Sequence, residues 1–83
     1  MMSVEEMIEK LTEFKSHTKK SSGFIEVLDT TEEVKEFIHD IPEQLRRNGF
    51  DNEVIEDIYE VAKFVPGNHV SKLEQLIEKL RSV

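Results

Sequence analysis

The chain has 83 residues, of which 18 are acidic and 11 are lysine or arginine, with a formal net charge of -7 and no cysteine. Its length allows one small domain, 1–83, and the absence of cysteine excludes disulfides, thiolate catalysis and cysteine-ligated zinc. The negative charge argues against nucleic acid and anionic membrane surfaces as direct ligands and favours a basic partner.

The first predicted helix covers residues 3–20. Ser3 and Glu6 have the spacing of a capping box. The apolar residues that follow recur with helical spacing and form one stripe: Val4, Met7, Ile8, Leu11 and Phe14. Residues 21–23, Ser-Ser-Gly, are typical of a helix stop, so we expect the helix to end just before them.

Residues 24–28 form the one β-favouring run of the chain, Phe-Ile-Glu-Val-Leu. A lone strand has no partner within the chain for its backbone hydrogen bonds. The segment is therefore either an irregular apolar linker packed on the core or a strand that pairs with its copy in a homodimer. In the second case the residues of self-association are Phe24, Ile25, Val27 and Leu28.

The second predicted helix covers residues 31–48. Thr30 and Glu33 repeat the capping-box spacing, and an apolar stripe follows them. The stripe consists of Val34, Phe37, Ile38, Ile41 and Leu45. Pro42 interrupts the helix, because proline removes one hydrogen bond and clashes with the preceding turn. The segment is either one helix kinked at Pro42 or two helices broken there, and Gly49 supplies a left-handed cap.

Two further helices are predicted over residues 51–65 and 69–82. Asp51 or Asn52 is the N-cap of the third helix. Its apolar face contains Val54, Ile55, Ile58, Tyr59, Val61, Ala62 and Val65. Ser71 and Glu74 have the capping-box spacing in the fourth helix. Four short helices with short connections predict an all-α compact bundle.

The junction of the second and third helices loosely matches the spacing of a DNA-reading helix-turn-helix. The matching positions are Leu45, Gly49, Phe50, Ile55 and Ile58. The outer face of the third helix, however, carries no positive charge before Lys63. Phosphate contacts supply most DNA affinity and need lysine or arginine, so DNA would repel this helix. A helix-turn-helix regulator is therefore the less favoured alternative.

The residues of the chain predict neither an enzyme nor a metal site. The carboxylates of the third helix share one outward face, whereas a metal needs ligands that converge from several elements. His17, His39 and His69 show no metal-binding spacing, and no phosphate-binding glycine loop is present. We therefore expect no catalytic residue, no metal and no cofactor.

A protein-binding face is the favoured interpretation of the outward carboxylates. These are Glu53, Glu56, Asp57 and Glu60, and Phe64 falls among them on a helical projection. Phe64 either folds back as the chain turns at Pro66 or is exposed. An exposed aromatic residue with a polar rim is typical of a protein interface.

The favoured function is a small acidic interaction module: a stoichiometric inhibitor, an immunity or anti-defence protein, or an adaptor. A homo-oligomeric structural subunit is a further alternative. The acidic start of the chain lacks the basic residues and apolar core of a signal peptide, and no apolar run approaches the roughly 20 residues that span a bilayer. A cytoplasmic protein is expected.

Overall fold

A computed structural model describes residues 1–20, 26–28 and 31–83. Its four helices are α1 (Val4–Phe14), α2 (Glu32–Arg47), α3 (Asn52–Ala62) and α4 (Val70–Arg81). A small antiparallel hairpin of β1 (Thr18–Lys20) and β2 (Glu26–Leu28) lies between α1 and α2 in the chain. The prediction of an all-α bundle of four short helices is confirmed.

One apolar core holds the helices together. Helix α4 packs against both α1 and α3, and α2 packs against α3. The side chains that are fully hidden from solvent include Met7, Leu11, Leu45, Ala62, Val65, Leu73, Leu76 and Leu80. Within the described ranges, no polar or charged residue is buried. The core therefore depends on apolar burial, which contributes about 25 cal/mol per Å².

Helix α1 is shorter than the prediction of residues 3–20. Ser3 caps it as expected, because its hydroxyl oxygen accepts from the Glu6 N–H at 3.1 Å and the Glu6 carboxylate accepts from the Ser3 N–H at 3.1 Å. The helix ends at Phe14, where the N–H of His17 donates to the Phe14 carbonyl oxygen in a tight turn. Residues 18–20 leave the helix because their backbone pairs with β2.

The expectation of a lone strand-like segment at 24–28 is wrong for residues 26–28. These residues form β2, which pairs with β1 so that Thr18 lies opposite Leu28. The alternative of an irregular linker is wrong for the same residues. The homodimer alternative depends on a strand whose backbone is unpaired within the chain, and the backbone of β2 pairs with β1. Phe24 and Ile25 lie outside the described residues, whereas Val27 and Leu28 belong to β2.

Helix α2 continues through Pro42 without a break. Of the two alternatives, separate helices are therefore wrong. Its N-cap is Thr31, whose hydroxyl accepts from the Val34 N–H at 3.2 Å. The predicted cap, Thr30, lies outside the described residues.

The C-terminal end of α2 also holds the start of the chain. The Asn48 side-chain amide donates to the Met2 carbonyl oxygen at 2.8 Å and to the Gln44 carbonyl oxygen at 2.7 Å. The Met2 N–H donates to the Gln44 side-chain oxygen at 2.8 Å. These bonds align α1 antiparallel to α2, and Phe14 meets Phe37 edge to face at the other end, with ring centroids 5.4 Å apart.

The turn between α2 and α3 sets the direction in which α3 leaves α2. Gly49 has a φ of 90°, and its N–H donates to the Arg46 carbonyl oxygen at 3.0 Å. The next N–H, that of Phe50, donates to the Leu45 carbonyl oxygen at 3.2 Å, which completes a Schellman motif. Asp51 then caps α3 by accepting from the Val54 N–H at 3.1 Å. The helix-turn-helix spacing is thus accounted for by capping and core packing.

Candidate protein-binding face on α3

The outer face of α3 is a stripe of four exposed carboxylates, which we call the acidic face. Its members are Glu53, Glu56, Asp57 and Glu60. They recur at i, i+3, i+4 and i+7, so they share one side of the helix. The opposite side places Ile55, Ile58 and Ala62 in the core. Because the apolar side is fixed by burial, the carboxylates must point outward.

Two of the four carboxylates have cationic partners. The Asp57 carboxylate lies 2.9 Å from the Lys79 ammonium of α4, and the Glu60 carboxylate lies 3.2 Å from the Lys63 ammonium. Among the side chains that the structure describes, none forms an ion pair with Glu53 or Glu56. The negative charge of the acidic face is therefore only partly compensated, and it is strongest toward the start of the helix.

Phe64 lies at the end of the acidic face and is 51% exposed. Its N–H donates to the Val61 carbonyl oxygen at 3.1 Å, and the N–H of Val65 donates to the Ala62 carbonyl oxygen at 3.0 Å. These bonds prolong the helical turn past Ala62, so Val65 enters the core and Phe64 stays outside. Of the two interpretations of Phe64, exposure is correct.

The exposure of Phe64 is unusual for this chain. Within residues 1–18 and 31–83, the other large hydrophobic side chains that are exposed are the terminal Met1 and Val83. The Lys63 ammonium lies 5.2 Å from the centroid of the Phe64 ring, within range of a cation–π interaction. Phe64 is therefore an exposed apolar ring beside charged side chains, and it does not lie at a chain end.

A shallow groove runs between α2 and α3 beside the acidic face. Its volume is about 250 Å³. The buried or half-buried residues at its base are Pro42, Ile55 and Tyr59, and the exposed residues at its sides include Arg46, Glu56 and Glu60. Sequence reasoning missed this groove, because it exists only where α2 packs on α3.

The structure does not collect the histidines into a site. His17 follows α1, His39 is on α2 and His69 precedes α4, and all three are exposed. In the part of the chain that the structure describes, no three histidine, aspartate or glutamate side chains are placed to share a metal ion. Likewise, none of the described helices is long and apolar enough to cross a membrane.

Comparison with known proteins adds no functional assignment. No protein-family model matches the chain, and no curated protein or solved structure matches it. The acidic face, Phe64 and the adjacent groove are therefore the features that bear on function.

Proposed function

We propose that the chain is a small acidic interaction module that binds a basic surface of another protein through the outer face of α3. The observation that carries this proposal is the exposed Phe64 ring at the end of the acidic face. Stable interfaces commonly place an aromatic anchor at their centre and polar groups around it. Phe64 is the anchor, and Glu53, Glu56, Asp57 and Glu60 supply the charge.

The two parts of this surface have different roles. Burial of the half-exposed Phe64 ring against a partner contributes affinity, because it removes apolar area from water. The carboxylates steer a basic partner toward the face and set its orientation. Glu53 and Glu56 matter most for steering, because no described side chain neutralises them. The stripe from Glu53 to Glu60 is roughly 10 Å long, so it can form part of the polar rim beside Phe64 but not a whole interface.

A binding module of this kind acts by occupying its partner. We propose a stoichiometric inhibitor, an immunity or anti-defence protein, or an adaptor, acting in the cytoplasm. DNA binding is not proposed, because α3 would bring its carboxylates against phosphates. Self-association is not proposed either, since β2 has its hydrogen-bonding partner, β1, within the chain.

The proposal is tested by capture of the partner and charge reversal of the acidic face. Affinity purification of the tagged chain with mass spectrometry identifies the partner, and calorimetry then gives its affinity. We expect Glu56→Lys with Glu60→Lys to weaken binding by at least about tenfold, because attraction becomes repulsion. Phe64→Ala, which keeps every charge, should weaken it by a similar factor.

A matched control separates local from overall charge effects. Glu36 and Asp40 are also exposed and one turn apart, but they lie on α2 away from the groove. Glu36→Lys with Asp40→Lys makes the same change in net charge and should leave the affinity within about twofold. Circular dichroism confirms that each variant is folded. Equal affinities of the two double variants would contradict the proposed face.

A further inference from the structure

We propose that the groove between α2 and α3 receives an arginine side chain of the basic partner. This inference rests on the proposed function, and it specifies which type of partner side chain the binding face accepts. The groove adjoins the acidic face, since Glu56 and Glu60 belong to both. At about 250 Å³ it is slightly smaller than sites for drug-sized molecules, which begin near roughly 300 Å³. It suits one inserted side chain.

The groove combines two features that a guanidinium group needs. Its base is apolar and aromatic, with Tyr59 half-buried beside Pro42 and Ile55. Its side carries Glu56 and Glu60, one helical turn apart. A guanidinium is planar, stacks on aromatic rings and donates to carboxylates in a fork, while its aliphatic stem packs on apolar surface. A lysine ammonium is a strongly hydrated point charge and uses these features less well.

The carboxylates beside the groove are only partly neutralised by neighbouring cations. Arg46 lines the groove, but its guanidinium lies 2.9 Å from the Glu43 carboxylate, which is not part of the lining. Glu60 is shared with Lys63 at 3.2 Å. Glu56 has no ion-pair partner among the described side chains. An arginine entering the groove would therefore meet Glu56 first.

The charge of Arg46 allows the position of the proposed site to be tested. It places one positive charge at the groove, where it repels an incoming guanidinium. Arg47 pairs with the same carboxylate, Glu43, at 3.2 Å but does not line the groove. Replacing either arginine by glutamine changes the net charge equally. Only the Arg46 replacement relieves repulsion inside the groove.

The first test is a nuclear magnetic resonance titration of the full chain with three small probes. We use N-acetyl-argininamide, N-acetyl-lysinamide and N-acetyl-citrullinamide, the last being the neutral counterpart of arginine. The arginine probe should shift the backbone amides of Asn52 to Glu60 and saturate in the millimolar range. It should bind at least about fivefold more tightly than the lysine probe, while the citrulline probe leaves the shifts unchanged. Equal affinity for arginine and lysine would overturn the inference.

Matched variants test the position of the site. Glu56→Gln should weaken the arginine probe by about fivefold, whereas Glu53→Gln, with the same charge change outside the groove, should alter it by less than about twofold. Arg46→Gln should strengthen binding more than Arg47→Gln does. Tyr59→Phe, which keeps the ring, should retain binding, and Tyr59→Leu should lose it. Equal effects within each pair would overturn the groove as the site.

The same variants distinguish failure of this inference from failure of the proposed function. If Glu53→Gln and Glu56→Gln weaken the captured partner equally and the arginine probe does not bind, the acidic face stands and the arginine groove is overturned. If the arginine probe binds in the groove but the partner tolerates Glu56→Lys with Glu60→Lys, the proposed function is overturned while the groove's preference for arginine stands.

Discussion

Gly49 shows how a single residue sets the direction of α3. Its φ of 90° lies in the left-handed region, which side chains with a Cβ atom adopt at a cost. This conformation lets the N–H groups of Gly49 and Phe50 reach the last carbonyl groups of α2. A Cβ atom at Gly49 would meet no heavy atom within 4 Å other than those of its two neighbours in the chain. The cost of a side chain there is therefore conformational rather than steric.

We expect Gly49→Ala to lower the free energy of unfolding by about 1 kcal/mol, because the left-handed conformation is less favourable for alanine than for glycine. Gly49→Asn should cost less, because asparagine tolerates this region better. Urea denaturation followed by circular dichroism measures both values. An alanine variant as stable as the native chain would show that the turn can relax without the left-handed conformation.

The exposure of Phe64 could not be predicted from the sequence alone. The helical period alone places Phe64 on the same side as the carboxylates. Whether the ring faces water depends on the two hydrogen bonds that prolong the turn after Ala62. The prolonged turn occurs together with the burial of Val65 in the core, which is a tertiary contact that the local sequence does not specify. The alternative that Phe64 folds back could therefore not be excluded from the sequence.

At the scale of elements, α4 differs from the other three helices at its start. Ser3, Thr31 and Asp51 each cap a helix with a side-chain oxygen, whereas the N-cap of α4 is His69, which makes no such bond. The predicted capping box of Ser71 with Glu74 is wrong, because α4 begins at Val70 and Ser71 already lies inside its first turn. The first turn of α4 therefore lacks the side-chain cap that the other three helices have.

Replacing His69 by aspartate should raise the free energy of unfolding by about 1 kcal/mol. The backbone of His69, with φ -59° and ψ 151°, is already extended as an N-cap requires. Aspartate would accept a backbone N–H of the first turn and complement the helix dipole. Thermal and urea unfolding give the change. As a comparison, Asp51→Ala removes an existing cap from α3 and should lower stability by a similar amount. No gain for His69→Asp would mean that other contacts already hold the first turn of α4.

The elements differ in how far the sequence predicts them. Helix positions follow from apolar stripes and local caps, so their approximate bounds were predictable. The hairpin was not, because Thr18–Lys20 has no apolar alternation and its pairing with Glu26–Leu28 is fixed only when the two segments meet. The groove also needs two helices in contact, so no local pattern could reveal it.

An ion pair connects α1 to α2 across the surface of the bundle. The Lys10 ammonium lies 2.8 Å from the Glu33 carboxylate and 5.4 Å from the centroid of the Phe14 ring. The hydrogen bond between them raises the pKa of Lys10 and lowers the pKa of Glu33 from its ordinary value of 4.5. The spacing from Thr30 predicts a capping-box role for Glu33. Its pairing with Lys10, 23 positions away in the chain, leaves no local pattern in the sequence.

The shifted pKa values give the pair a defined dependence on pH. Because the pKa of Glu33 is lower in the folded state, its stabilising effect is present above the pKa of the unfolded chain. That effect disappears as the pH falls through the folded-state pKa. Because the pKa of Lys10 is raised, its contribution is present below the unfolded-state pKa and disappears as the pH rises through the folded-state value. The pair therefore stabilises the fold between these two limits.

Glu33→Gln should accordingly lower stability near neutral pH and have little effect in acid, once the native carboxylate is also protonated. Urea unfolding of the native chain and of the Glu33→Gln variant, from acid to neutral pH, measures the difference in their free energies of unfolding. This difference should also shrink at high salt, because the ion pair is exposed. Glu36→Gln, which also removes one exposed carboxylate from α2, serves as the control for the change in net charge. A Glu33→Gln penalty that persists unchanged in acid would show that Glu33 acts through packing rather than through its charge.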